Sequence, residues 1–220
     1  MNVLVVGASR GIGLEFVRQY RADGATVTAT ARDDEGLARI AALGATAIRL
    51  DVLDATSASG LAWQIDGAGF DVAVVNAGVA GARGPGLTPT ADDFDRVMRT
   101  NVLGPMRVIP QIVEALAPGG KVAVLSSLMG SIGTRTAAGS TLYRASKAAV
   151  NSVMKDAALS FDKRATFVSL HPGWVRTDMG GSGADIDVET SVAGMRKVIA
   201  GLSAHDTGSF FNYDGKAIAW

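Results

Sequence analysis

The chain has 220 residues, 48% of them apolar, and its 21 basic side chains balance 21 acidic ones. That size and apolarity suffice for one domain with a substantial core, and the charge balance provides no global field to recruit nucleic acid or an anionic membrane, so neither is expected as a partner. Cysteine is absent and the two histidines, His171 and His205, lie far apart, which excludes disulfides, thiolate metal sites and cysteine nucleophiles and leaves no metal site to expect.

The opening residues Met1 to Val6 are too short for a signal peptide and lack its basic flank and cleavage pattern, so they read as a strand. No apolar run reaches bilayer-spanning length, and the expected location is cytoplasmic. From there, short and largely β-branched runs at 3–6, 26–30, 47–50, 72–75, 121–125 and 165–170 alternate with stretches of helical period near 11–23, 34–43, 55–66, 91–117 and 142–162. Near-continuous apolar strands belong to a parallel sheet covered on both faces, and the alternation is that of βαβ crossovers. The expectation is a single α/β domain over residues 1–220, a Rossmann-type doubly wound parallel sheet with helices on both faces. Ligands in such sheets sit beyond the carboxyl ends of the strands. Two glycine-rich stretches, 78–86 and 180–183, read either as rims of a pocket or as surface turns.

Gly7, Gly11 and Gly13 follow the first strand and open the first helix. Small residues there let a pyrophosphate approach backbone amides at a positive helix end. The spacing is GxxxGxG rather than GxGxxG, so the physics transfers but the pattern alone is weak. Downstream, Tyr143 and Lys147 are one helical turn apart and share one face. A free phenol ionises near pH ~10, and a neighbouring cation favours the phenolate. Lowering that pKa by about three units takes roughly 4 kcal/mol, which one ammonium about 4 Å away supplies at an effective dielectric near 20. The pair would then exchange a proton with a substrate oxygen near neutrality while another agent moves the hydride.

In order along the chain stand Gly7-Ala8-Ser9-Arg10-Gly11-Ile12-Gly13, Leu50-Asp51-Val52, Asn76-Ala77-Gly78, Thr100-Asn101-Val102, Ser126-Ser127, Tyr143 with Lys147, and Pro172-Gly173-Trp174-Val175-Arg176-Thr177. With these the chain resembles the short-chain dehydrogenase/reductase family from end to end. Its ending, Phe210 to Lys216 and on to Trp220, resembles the compact C-factor-like and sniffer-like carbonyl reductases of that family. The resemblance implies a nicotinamide dinucleotide bound by Gly7, Ser9, Arg10, Gly11, Ile12 and Gly13, with Asp51 and Val52 bracketing the adenine. It places Asn76, Ala77 and Gly78 on the ribose side, and Pro172, Gly173, Val175 and Thr177 at the nicotinamide. Read singly, Asp51 is also a helix cap, Asn76 a turn former and Pro172-Gly173 a strand end. Val6 and Val75 depart from the threonine and asparagine common in relatives.

Arg10 and Arg32, with Ala31 where an NAD enzyme would carry an acid, favour a 2′-phosphate and hence NADP(H), with NAD(H) as the alternative; Asp33 and Asp34 oppose that preference. The resemblance further implies that Tyr143 gives the carbonyl oxygen its proton, that Ser127 hydrogen-bonds this oxygen, and that Lys147 holds the nicotinamide ribose beside Tyr143. Asn101 would anchor the water that replaces the proton. The interval from Ser127 to Tyr143 is longer than the commonest family spacing, which leaves Ser126 and Ser131 as competitors for Ser127. His171 is given no catalytic role.

The expected activity is NADP(H)-dependent reduction of an aldehyde or ketone, or the reverse alcohol oxidation. The rival reading is a dinucleotide-binding regulatory or signalling protein with incidental turnover. Met129, Trp174 and Met179 are expected to line an open substrate pocket or to pack the core. Surplus apolar residues on the helices, among them Met98, Met106, Val153 and Phe161, leave some to face a second subunit, and the family resemblance, whose members commonly pair through these helices, implies a homodimer or homotetramer.

Overall fold

A computed structural model describes residues 1–81 and 88–220. The last part of the glycine-rich stretch 78–86 thus lies outside the described residues. The described elements are, in order, β1 (Asn2–Val6), α1 (Gly11–Ala22), β2 (Thr26–Ala31), α2 (Asp34–Ala42), β3 (Thr46–Arg49), α3 (Ala55–Ser59), α4 (Leu61–Ile65) and β4 (Phe70–Val75). They continue as α5 (Ala91–Met98), α6 (Gly104–Glu114), β5 (Leu116–Leu125), α7 (Thr141–Ser160), β6 (Ala165–His171), α8 (Val188–Gly201) and β7 (Ser209–Asn212).

The strands form one sheet in the order β3-β2-β1-β4-β5-β6-β7, every pair parallel. Alternate residues of each strand serve opposite faces, as the pleat requires. Val3 and Val5 join Phe16, Val17, Ile40, Met195 and Ile199 under α1, α2 and α8. Leu4 and Val6 join Leu61, Val108, Ile109, Val150 and Met154 under α4, α6 and α7. This two-faced burial is what the near-continuous apolar runs require. Phe167 is fully buried and stacks on Phe161, ring centroids 6.0 Å apart; its truncation to alanine would cost roughly 3–5 kcal/mol.

The order reverses between β1 and β4, so a crevice opens past their carboxyl ends. The connections after β1, β4, β5 and β6 all reach that edge, carrying the glycine turn, Asn76 to Gly78, Ser126-Ser127 and Pro172 to Thr177.

Several boundaries differ from the sequence expectation, each for a local reason. The helix expected over 91–117 is three pieces: α5, a π-helical turn at Arg99–Leu103, and α6, which stops at Glu114. Pro118 and the left-handed Gly119 (φ 75°) oppose continuation, and β5 pairs Leu116 with Phe70 instead. The helix expected over 55–66 divides at Gly60, which closes α3 and opens α4. Two elements were not anticipated. The four-residue β7, Ser-Phe-Phe-Asn, has no β-branched residue and is drawn into the sheet by pairing with β6. α8 contains Gly194, a poor helix residue required because a Cβ there would lie 2.6 Å from the Tyr213 carbonyl oxygen; Asp187 caps it, accepting from Thr190 N at 2.7 Å.

Val153 and Phe161 pack on the core of their own chain, Met98 is half-buried, and Met106 is 50% exposed, as is Phe94 of the preceding helix at 51%. Among the described residues no helix is long and apolar enough to cross a membrane.

Candidate active site

The first connection is shaped by contacts that only glycine allows. Gly7 has φ +84°, and a Cβ on it would lie 2.8 Å from the Ala77 backbone; one on Gly13 would lie 2.6 Å from Asn76 Nδ2. Asn76 Nδ2 donates to the Gly7 carbonyl at 2.5 Å, and Gly7 N and Ala8 N donate to Thr30 Oγ1 and the Thr30 carbonyl at 3.0 and 2.8 Å. The turn is thus tied to the ends of both neighbouring strands. Helix α1 then starts with no side-chain cap and no acid in its first turn. Its free N–H groups and positive end face the cleft, which suits an anionic phosphate.

That cleft has a volume of about 440 Å³ and runs from Arg32 to Tyr143 and Lys147. Of the sequence-predicted cofactor residues, Gly7, Ser9, Arg10, Gly11, Ile12, Arg32, Asp51, Val52, Asn76, Ala77, Gly78, Tyr143, Lys147, Pro172 and Thr177 line it. Gly13, Gly173 and Val175 do not. Gly13 packs behind the turn, a Cβ on Gly173 would meet Ile186 and Tyr213, and buried Val175 bridges to Ile186. Asp51 does not cap α3; Asp54 does, while Asp51 Oδ1 accepts from Leu53 N at 2.9 Å.

At the far end each arginine faces an acid. Arg10 pairs with Asp178 at 2.7 Å, Arg32 lies 3.9 Å from Asp33, Arg39 pairs with Glu35 and Arg49 with Asp34. These pairs are largely exposed and individually weak. Arg39 was not anticipated from the sequence. It lines the cleft and donates from Nε to the Ser9 carbonyl at 2.8 Å, bracing the glycine turn. Its position one turn after Glu35 on a helix was the available signal.

At the other end α7 presents Tyr143 and Lys147 to the same cleft. Lys147 Nζ lies 5.7 Å from the Tyr143 ring centroid and donates to the Leu125 carbonyl at 2.7 Å. Burial of the lysine lowers its pKa from 10.5 to about 8. Asn101 sits in the π-helical turn, a distortion frequent at functional sites. Its Oδ1 accepts from Val79 N at 2.8 Å, and its Nδ2 donates to the Val79 carbonyl at 2.9 Å and to Ser146 Oγ at 3.0 Å. Ser146 Oγ in turn donates to the Tyr143 carbonyl at 2.8 Å, a link whose only signal in the sequence is that the serine directly precedes Lys147. Gly78 faces both groups: a Cβ there would lie 3.4 Å from Asn101 Oδ1 and 3.5 Å from Lys147 Nζ. Asn101 itself stands behind the cleft lining.

The three serines differ in what their hydroxyls do. Ser126 lines the cleft and donates to the Lys147 carbonyl at 3.4 Å; Ser131 donates to the Ala219 carbonyl at 2.5 Å. Ser127 Oγ accepts from Met129 N at 3.1 Å, and among the described residues its proton has no acceptor. Ser127 is not among the cleft-lining residues. Of the three expected apolar lining residues only Met179 borders the cleft; Trp174 instead donates from Nε1 to the Gly180 carbonyl at 3.0 Å, and Met129 is half-buried. His171 is buried enough to lower its pKa to about 4, and its Nδ1 has no partner among the described residues.

A parallel doubly wound sheet with a glycine turn and an uncapped helix start at its switch-point cleft is the architecture of the Rossmann-type folds. The chain matches the short chain dehydrogenase family over residues 1–185 and belongs to the short-chain dehydrogenase/reductase family. Among curated relatives, C-signal from Myxococcus xanthus is 40% identical over 155 residues, covering 68% of this chain and 92% of that protein. Among solved structures, carbonyl reductase Sniffer of D. melanogaster superposes with TM-score 0.90 at 29% identity, covering 100% and 99% of the two chains. A carbonyl reductase from Pseudomonas aeruginosa PAO1 in complex with NADP gives TM-score 0.88 at 32% identity and the same coverage.

Proposed function

We propose that the protein is an NADP(H)-dependent carbonyl reductase acting on an aldehyde or ketone, or oxidising the corresponding alcohol, and that residues 1–220 work as one NADP-binding unit in the cytoplasm as a homodimer or homotetramer. The observation that carries the reading is a buried cation, Lys147, sharing one end of the cleft with Tyr143, while the other end is an uncapped helix start flanked by arginines.

The residues present fit the cofactor. The uncapped start of α1 and the glycine turn would hold its pyrophosphate, and Arg10 and Arg32 would hold the 2′-phosphate that distinguishes NADP(H), with NAD(H) accepted less well. Asp51 and Val52 would flank the adenine, and Lys147 has donors beyond its bond to Leu125 for the ribose hydroxyls. When bound, the cofactor supplies or removes the hydride.

The chain's own residues manage the proton. Tyr143 gives its phenolic proton to the carbonyl oxygen, and the Lys147 ammonium favours the phenolate left behind. Ser127, whose proton has no acceptor among the described residues, donates a hydrogen bond to that oxygen and stabilises the charge developing on it. Asn101, fixed in its turn by Val79 and Ser146, orders the route by which Tyr143 is reprotonated. Because phenol and ammonium interact, the pH–rate profile reports the pair.

The test is consumption of NADPH by a panel of aldehydes and ketones, with Tyr143→Phe abolishing consumption but not NADPH binding. The second reading, a dinucleotide-binding signalling protein, draws on the likeness to C-signal. It predicts tight NADP(H) binding with no carbonyl turnover and no effect of Tyr143→Phe; the intact Tyr143 and Lys147 favour the enzyme.

A further inference from the structure

The chain beyond β7 does not leave the sheet. After a turn at 212–216 it doubles back: Phe211 bridges antiparallel to Ala217, Ile218 N donates to the Phe210 carbonyl at 2.8 Å, and Trp220 stacks on Phe210 with centroids 5.6 Å apart. The end of this return run meets the segment that follows Ser127. Ser131, 1% exposed, donates to the Ala219 carbonyl at 2.5 Å and accepts from Thr134 N at 3.1 Å, while Gly133 N donates to the Trp220 carbonyl at 2.8 Å.

The same segment is gripped from the other side by α7. Ser127 begins a tight turn in which its carbonyl accepts from Gly130 N at 2.7 Å and its Oγ from Met129 N at 3.1 Å. Gly130 lies so close to α7 that a Cβ would stand 2.8 Å from the Lys147 carbonyl carbon. The turn bearing Ser127 is therefore held between Lys147 and the return run. Residues 132–138, by contrast, are exposed, so the length that left the serine assignment open bulges into solvent beyond the anchor.

We infer that Ser131 and the return run Ala217 to Trp220 are positioning elements for Ser127. This rests on the role proposed for Ser127 above. A hydroxyl that must meet a reacting oxygen loses most of its value when displaced by an ångström. The bonds to Ala219 and Trp220 fix the far end of its turn, as the Lys147 backbone fixes the near side.

The experiment uses Ser131→Ala, Ser131→Thr and Trp220→Ala, assayed with NADPH and 4-nitrobenzaldehyde. Ser131→Ala and Trp220→Ala should each lower kcat about tenfold with the KM for NADPH within about twofold, and Ser131→Thr should restore most of it. In a Ser127→Ala background Ser131→Ala should have no further effect, because its influence passes through Ser127. An equal further loss there, or an unchanged kcat in both alanine variants, overturns the inference. Hydrogen exchange judges it independently of turnover. Ser131→Ala and Trp220→Ala should speed exchange of the Gly130 and Ser131 amides about tenfold while α7 is unaffected; unchanged exchange in the turn, or uniform acceleration along the chain, refutes the positioning role. Absence of any carbonyl turnover by the unaltered protein sinks the proposed activity instead, and the exchange result still decides the anchoring.

Discussion

Replacing Lys147 by methionine removes a cation that the fold holds almost wholly out of water, 6% exposed, with Nζ donating to the Leu125 carbonyl at 2.7 Å. Burial lowers its pKa from 10.5 to about 8. At about 1.4 kcal/mol per unit, the charged form therefore costs the folded state about 3 kcal/mol near neutral pH. The folded chain gives up this proton before the unfolded chain does, so between the two values the unfolded state binds more protons and stability climbs with pH. Below about pH 8 the full cost is present. Methionine has no such window. The unfolding free energy of the cofactor-free protein minus that of Lys147→Met should accordingly be level up to about pH 8 and then rise by about 3 kcal/mol toward pH 10.5. For a chain of this length that is roughly 6–12 °C in Tm. Urea unfolding at intervals across this range measures it, with both chains carrying Tyr143→Phe so that the phenol does not titrate in the same window. A difference that stays constant with pH would refute the reasoning, because the ammonium would then cost the same in both states.

Asp178→Asn should free Arg10, now paired to Asp178 at 2.7 Å, and lower the KM for NADPH about two- to fivefold at low ionic strength, fading with added salt; an equal change with NADH would show that the 2′-phosphate is not involved. Asn101→Ala removes the bonds to Val79 N, the Val79 carbonyl and Ser146 Oγ and should destabilise the fold by about 2–4 kcal/mol, read by urea unfolding. A smaller loss, under about 1 kcal/mol, would mean the π-helical turn holds without them. His171, whose pKa burial lowers from 6.5 to about 4, is neutral when folded. Its contribution is intact above about pH 6.5 and is lost as pH falls toward 4, so His171→Leu should lose less stability than the unaltered chain over that interval; parallel acid profiles would count against it.

The parallel sheet could be read from near-continuous apolar strands spaced by helical stretches, and six of its strands fall where those runs do. Tyr143 and Lys147 were legible for a similar reason: four residues on one helix fix which way two side chains face. Local signals failed where distant contacts set the outcome. β7 is too short to announce itself and forms because β6 offers an unpaired edge, and α8 keeps Gly194 because the Tyr213 carbonyl lies against it. The break within the expected 91–117 helix places Asn101 in a π-helical turn beside Val79 and Ser146, which periodicity cannot foresee.

By itself the sequence determined six parallel strands alternating with helices, the crevice at the strand ends and the residue types gathered there, since these follow from periodicity and from what glycine, tyrosine and lysine can do physically. The tertiary structure decided which hydroxyl keeps its proton without an acceptor among the described residues. Ser126, Ser127 and Ser131 are chemically equal in the sequence; the Lys147 and Ala219 carbonyls take two of their protons, and among the described residues nothing takes the third, because hydrogen-bond partners are set by proximity in space. The same holds for charge at the far end of the cleft, where Arg10 meets an acid 168 residues away.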